Sequence, residues 1–373
     1  MHIGLLTADL RHGHGWGHYS LSLIRALRRQ GVRVTVVAAS NSPTDFDFPV
    51  QPLLPNVVPA QGGQLARMAL LTPRLPTLLA GCDLLHCTAE PYAPLAQWLA
   101  DGRPYVVTGH GSYAQAGVNR SWGVRQLHQQ AFLRAAQVIC VSHYTARQAA
   151  AYTPGIRTVV VNNGIDPARF ADLPPPPEPI TRPTVLTAGG VKTRKGTLPL
   201  IEAMAKVHDT VPDAQCIIIG KTDAEPDTTR QVWAAIDAHG LHEQVRLLGF
   251  VPERDLLGWY GAADVFALPS VSDGWKFEGY GLVHLEASAA GLPVVGTWEC
   301  GAADAVDDGE TGLLVHQAAL ETQLPAALTR LLTDANLRAR LGAAGRAKAQ
   351  QQTWDKAARE TVAVYRDVLN IDS

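Results

Sequence analysis

With 373 residues, 46% hydrophobic and 18% charged, the chain has ordinary globular composition, and its length suits two domains that each bury a core. This excludes an intrinsically disordered chain, and no apolar run is long enough to cross a bilayer. The formal charge of −2 conceals an asymmetry: residues 1–170 hold 14 Arg, no Lys and 7 acids, while the remainder holds 18 basic and 27 acidic residues.

Such a basic amino-terminal half suits an anionic partner or peripheral contact with a membrane, although a solvated basic face accounts for it equally well. No nucleic-acid partner is expected. The five cysteines are odd in number and lack zinc-knuckle spacing, so they read as buried thiols in a reducing compartment. No leader pattern precedes the first strand, which makes a cytoplasmic protein the expectation.

Ile3 to Thr7 reads as a strand, followed by a helix from about Tyr19 to Arg29 and a strand from Val32 to Ala39, a βαβ unit. Between the first two lies Gly13-His14-Gly15-Trp16-Gly17-His18-Tyr19. Its glycines run G-x-G-x-G, not G-x-G-x-x-G, and the second strand ends Ala38-Ala39-Ser40 without a ribose-binding acid, which argues against a nicotinamide enzyme. A tight turn explains one of these glycines more easily than three.

Further strands are expected at Leu84 to Cys87, Tyr105 to Thr108, Val138 to Val141 and Thr158 to Val161, with a helix over about Gln126 to Ala136. Continuous apolar strands of this kind imply a parallel sheet covered on both faces. His110 sits just past the end of the second of these strands, where ligands bind in such sheets, although a lone histidine is more often structural. His18, His86 and His143 receive that structural reading.

Leu173-Pro174-Pro175-Pro176-Pro177-Glu178-Pro179 suits neither helix nor central strand and reads as a linker over 171–182. It separates an amino-terminal Rossmann-like domain, 1–170, from a second, 183–352, in which strands restart at Thr184 to Thr187, Gln215 to Ile219, Val245 to Leu248, Val265 to Leu268 and Pro293 to Gly296. In the tail 353–373, Trp354 to Leu369 is an amphipathic helix placed to pack back on the first domain.

Two stretches of the second half carry chemistry. Gly189-Gly190-Val191-Lys192-Thr193-Arg194-Lys195-Gly196 follows a strand and precedes a helix, and its three cations suit a diphosphate, although a solvated basic turn has the same composition. In Phe277-Glu278-Gly279-Tyr280-Gly281-Leu282-Val283-His284-Leu285-Glu286, two glutamates stand eight residues apart, the first in a glycine-flanked loop and the second about a turn into the next helix. Both carboxylates can face the crevice outside the strand ends, and the glycines let backbone amides approach a phosphate at a helix start. Acids near a helix start also simply offset its dipole.

These residues together resemble the retaining glycosyltransferase family 4, whose signature is E-x7-E and whose fold is the two-domain GT-B arrangement, α/β with two Rossmann-like domains facing across a cleft. The resemblance covers nearly the whole chain, including Asn162-Asn163-Gly164-Ile165-Asp166 and Leu248-Gly249-Phe250-Val251. It implies that Glu278 contacts donor-sugar hydroxyls, that Glu286 binds the ribose, that Lys195 with Arg194 and Lys192 holds the diphosphate, and that Phe250 lies where the base binds. Gly279, Tyr280 and Gly281 belong to the same donor loop, Gly15 and Gly17 to the amino-domain loop over the phosphates, and His110 to the reacting centre. The family arginine five residues before Lys195 is replaced by Gly190, so Arg194 or Lys192 must supply its charge.

The implied activity is a retaining transfer from a UDP- or GDP-sugar to a saccharide, lipid-linked or other hydroxyl acceptor. No cofactor and no metal are expected, since Asp45-Phe46-Asp47 has the metal-binding spelling but lies in a proline-flanked connection. A nucleotide-sugar 2-epimerase of the same fold, or a degenerate nucleotide-binding protein, is the competing expectation.

Overall fold

The computed structural model describes residues 1–11, 15–57 and 74–371. The chain divides into two compact units, Met1–Gly164 with Trp354–Ser373, and Ile165–Thr353.

The first unit holds β1 (His2–Leu6), β2 (Arg33–Ala39), β3 (Val50–Leu54), β4 (Leu84–Cys87), β5 (Tyr105–Gly109), β6 (Gln137–Cys140) and β7 (Thr158–Val160). They form one parallel sheet in the order β3-β2-β1-β4-β5-β6-β7. The order in which the strands are added across the sheet reverses between β1 and β4. With right-handed crossovers, the helix Gly15–Arg29 covers one face, and the helices Leu75–Leu79, Ala93–Leu99, Trp122–Arg134 and His143–Tyr152 cover the other. The buried cluster agrees: Leu85, Cys87, Val107, Val138 and Cys140, alternate strand residues, pack with Leu79, Leu99, Phe132 and Ala149 of those four helices. On the opposite face Gly15–Arg29 packs against Trp354–Leu369, and Arg29 pairs with Asp355 at 2.7 Å.

In the second unit, β8 (Thr184–Ala188), β9 (Gln215–Ile219), β10 (Val245–Gly249), β11 (Val265–Ala267), β12 (Val294–Thr297) and β13 (Gly312–Val315) form a parallel sheet ordered β10-β9-β8-β11-β12-β13. This is the doubly wound order, with its switch point between β8 and β11. Both sheets are Rossmann-like. The proline run belongs to this unit: a Cβ on Gly258 would sit 2.7 Å from the Pro175 carbonyl oxygen, so the segment lies against the helix Glu253–Ala262. All five cysteines are buried thiols.

Two strands that the sequence does not announce, β3 and β13, are both edges. Pro52 interrupts the apolar run of β3 and withholds a donor, which an edge strand tolerates. β13 is only four residues long. The helix expected from Tyr19 begins earlier, at Gly15, and the one expected from Gln126 begins at Trp122.

Candidate active site

In the second unit the site is built where β8 and β11 diverge. After β8 the chain turns through Gly189 and Gly190, both at positive φ, into the 3-10 turn Thr193–Lys195 and then the helix Thr197–His208. Gly196 caps that helix with φ of +67°, and a Cβ there would lie 1.8 Å from the Pro269 carbonyl oxygen. Only glycine lets the turn press against the chain leaving β11. The arginine missing at Gly190 has a backbone cause: φ is +79°, and a Cβ would stand 2.9 Å from the carbonyl oxygen of Lys221.

Across the switch point, the loop after β11 delivers Glu278. Its Oε2 lies 2.6 Å from Lys195 Nζ and 2.6 Å from Arg194 Nη1, so one carboxylate is held between two cations. Burial works against ionising Glu278, yet Lys195 and Arg194 overcome it and hold the carboxyl well below the usual carboxylate range. In return the Glu278 carboxylate opposes the cost of burying the Lys195 charge. Lys192 is half-buried at the head of the same turn, where burial and the neighbouring Arg194 lower its ammonium.

Buried Gly279 and Tyr280 lead to Gly281, which caps the helix Leu282–Ala290 in the left-handed region. His284 in the first turn is fully buried, lowered by burial to about 4 and therefore neutral, with Nδ1 3.2 Å from the Gly281 carbonyl. Glu286 is one turn further. Arg169 Nη1 lies 3.8 Å from it, and the Tyr260 hydroxyl donates to it at 3.3 Å. Burial raises the Glu286 carboxyl, while Arg169 and Lys195 pull it down. Lys195 is in direct contact with Glu278, while Glu286 has its own partners in Arg169 and Tyr260. Neither Arg169 nor Tyr260 stands out in the sequence, because no short-range spacing links them to Glu286. Phe250 follows the edge strand β10 and is 80% exposed.

The first unit has its own cluster. His110 follows β5. Its backbone N–H donates to Glu90 Oε1 at 2.7 Å, and Nε2–H donates to the Thr88 carbonyl at 2.8 Å. That bond fixes the tautomer and leaves Nδ1 with the lone pair. Burial lowers His110 to about 4. Its ring stands edge-on to Tyr19 with centroids 4.4 Å apart. Glu90, to which no sequence motif points, also accepts from the Trp16 indole at 2.6 Å, and burial raises it to about 7. A lone glutamate ahead of a proline gives no sequence signal.

Behind Tyr19 runs a buried polar chain: Tyr19 to Thr108 at 3.3 Å, Thr108 to His86 at 2.7 Å, and His86 to Tyr365 at 2.5 Å. Gly15 and Gly17 lie in the first turn of Gly15–Arg29. A Cβ on Gly17 would stand 2.3 Å from the Asp9 carbonyl oxygen, whereas one on Gly15 would meet nothing within 4 Å among the described residues; Gly13 and His14 fall outside those residues. Among the described residues, no three His, Cys, Asp or Glu side chains gather as a metal site.

Two parallel Rossmann-like sheets, each with its candidate site residues beyond the carboxyl ends of its strands, define a GT-B glycosyltransferase fold. The chain matches the family described as Glycosyltransferase Family 4 over residues 14–169 and that described as Glycosyl transferases group 1 over residues 170–348. It is 32% identical over 267 residues to the GDP-mannose-dependent alpha-(1-6)-phosphatidylinositol monomannoside mannosyltransferase of Mycolicibacterium smegmatis, covering 68% of this chain and 67% of that one. A D-inositol 3-phosphate glycosyltransferase of Corynebacterium aurimucosum is 27% identical over 96% of this chain and 92% of its own length.

Among solved structures, Anabaena HepE in complex with UDP and glucose superposes with a TM-score of 0.77 at 21% identity, over 98% of this chain and 100% of that one. Sucrose-phosphate synthase from Thermosynechococcus elongatus gives 0.79 at 21% identity, over 100% of both chains. The chain therefore belongs to glycosyltransferase family 4.

Proposed function

We propose that this glycosyltransferase transfers a sugar, with retention and without a metal ion, from a UDP- or GDP-sugar to a saccharide, lipid-linked or other hydroxyl acceptor. The observation that carries the reading is the Glu278 carboxylate bound by both Lys195 and Arg194 at the β8/β11 switch point.

In this reading Lys195, Arg194 and Lys192 bind the donor diphosphate, and the amides of Gly279 to Gly281 complete the cradle at the helix start. Glu278 is oriented by the same cations and takes donor-sugar hydroxyls, while Glu286, steadied by Arg169 and Tyr260, takes the ribose. Phe250 marks the base position, and Gly15 and Gly17 are assigned to the donor phosphates.

Chemistry follows from charge. As the bond from the anomeric carbon to the phosphate oxygen breaks, negative charge grows on the leaving diphosphate, where fixed cations stabilise the transition state more than the ground state. The acceptor oxygen forms its bond on the face being vacated, and its proton passes to the leaving phosphate. His110 has Nε2–H committed to Thr88, which leaves Nδ1 as a hydrogen-bond acceptor for a sugar hydroxyl, and burial makes that nitrogen a weak base.

The names of the relatives support both GDP- and UDP-linked donors, and they support an inositol-containing or lipid-linked acceptor reached by peripheral membrane contact through the basic first unit. A thermal-shift panel of nucleotide sugars tests the donor class. A ligand at a hundred times its dissociation constant adds about 2.7 kcal/mol, and no shift from any UDP- or GDP-sugar sinks the reading. Mass balance with acceptor omitted distinguishes transfer from epimerisation.

A further inference from the structure

The four helices on one face of the first sheet bury their inner sides in a common cluster. Their outer sides carry Leu78, Trp98, Trp122, Leu127 and Leu133, with Trp122 73% and Trp98 56% exposed. Single exposed apolar side chains are normal. Here five lie on one helical layer, whereas the helices of the opposite layer, Gly15–Arg29 and Trp354–Leu369, expose no large apolar side chain among the described residues.

Helical geometry concentrates them further. In Trp122–Arg134 the buried side is His128, Ala131 and Phe132, and at about 100° per residue Trp122, Gln126 and Leu133 fall opposite it, flanked by Leu127 and Arg134. Ala93–Leu99, which carries Trp98, packs directly against this helix.

Charge on the four helices themselves has one sign, Arg125, Arg134 and Arg147 without an acid, and the exposed acids nearby, Asp83 and Asp101, stand in the connections. Residues 102–165 contain six Arg and no Asp or Glu. Arg103 is engaged with the carbonyls of Leu99 and Ala100, but Arg120, Arg134 and Arg147 are exposed. Helices that carry arginine and no acid favour an anionic partner, and Trp and Leu between the arginines call for an apolar layer beneath the anions. An anionic phospholipid surface supplies both at the matching depth, since Trp and Arg side chains span the boundary between headgroup and acyl chain.

We propose that this helical face docks the first unit onto an anionic phospholipid bilayer, with Trp98, Trp122 and Leu127 entering the interfacial layer and Arg120, Arg134 and Arg147 meeting lipid phosphates. The proposal rests on the peripheral membrane contact named above and assigns it a surface. It involves no spanning segment: among the described residues, no helix is long and apolar enough to cross a membrane. Docking here would hold the enzyme at the lipid surface through side chains that take no part in donor binding.

The test is sedimentation of the full chain with phosphatidylcholine vesicles, with and without phosphatidylglycerol. Binding is expected to require phosphatidylglycerol and to weaken with salt. Replacing Arg120, Arg134 and Arg147 by Gln should lower partition about fivefold per arginine, the equivalent of ~1 kcal/mol each, and Trp98→Ser with Trp122→Ser should lower it on the order of tenfold or more. Thermal shift of the same variants by UDP and GDP should stay at the wild-type value.

Equal binding to neutral vesicles, binding to neither, or binding indifferent to these substitutions overturns the proposal. Self-association abolished by Trp122→Ser, with vesicles left unbound, reassigns the face to a second copy and also overturns it. Loss of nucleotide binding in the wild type, with lipid binding intact, would instead sink the donor reading and leave the surface standing.

Discussion

Glu90 offers the sharpest test of the first-unit cluster, because its hydrogen-bond partners among the described residues are neutral N–H donors, the His110 backbone and the Trp16 indole. Burial raises its carboxyl from 4.5 to about 7, and its charge is felt by Tyr19, Cys87 and Cys140. A folded-state value above the unfolded one means that the folded chain keeps the proton longer. The associated stability is full below about pH 4.5 and is lost as pH rises through about 7. At ~1.4 kcal/mol per pH unit, that rise amounts to ~3 kcal/mol.

Glu90→Gln keeps an acceptor for the His110 N–H and removes the titration. It also turns an amide N–H toward the Trp16 indole, a pH-independent loss of about 1–3 kcal/mol. Urea unfolding of the first-unit transition, followed between about pH 4.5 and pH 8, should show the wild type losing ~3 kcal/mol more than the variant. Parallel curves for the two proteins would refute a buried, uncompensated carboxyl at this position.

Three further outcomes follow from the geometry. Glu278→Gln leaves Lys195 and Arg194 facing each other without their shared anion, so it should destabilise the second unit by about 3 kcal/mol in denaturant unfolding and reduce kcat/KM on the order of a hundredfold or more. Gly190→Arg, which restores the family residue, should lower stability by about 1–3 kcal/mol and raise no activity, because the positive φ and the close Lys221 carbonyl reject a side chain; a thermal melt with a turnover assay checks both. His110 is lowered by burial to about 4 and stays neutral from about pH 6 to about pH 8, so His110→Asn should lower kcat by a constant factor across that range, and a factor that changes with pH would show that the histidine titrates there and is not buried as described.

Most of the fold was legible because buried parallel strands are continuous apolar runs: β4 and β9 fall where the sequence places them, and the tail helix spans Trp354–Leu369 as expected. The edge strands β3 and β13 escaped, since an edge needs neither an unbroken apolar run nor length. The site was legible where its residues are close in sequence. Lys195 and Glu278 belong to motifs that announce themselves, but their direct contact is a property of how β8 and β11 diverge. Glu90, Arg169 and Tyr260 act through partners far away along the chain, and residue spacing carries no trace of that. The absent arginine at Gly190 was visible in the sequence; its cause, a backbone packed against Lys221, was not.

The central claim is that the turn ending at Lys195 and the loop of Glu278 form the donor-diphosphate site. Calorimetric titration of UDP and GDP into the wild type, Lys195→Ala and Lys195→Met tests it most directly. One cation about 4 Å from a phosphate charge is worth on the order of 4 kcal/mol at an effective dielectric of 20, so both variants should bind the preferred nucleotide on the order of a hundred- to a thousandfold more weakly than the wild type. Affinities within about twofold of wild type in folded variants would place the diphosphate elsewhere and contradict the account.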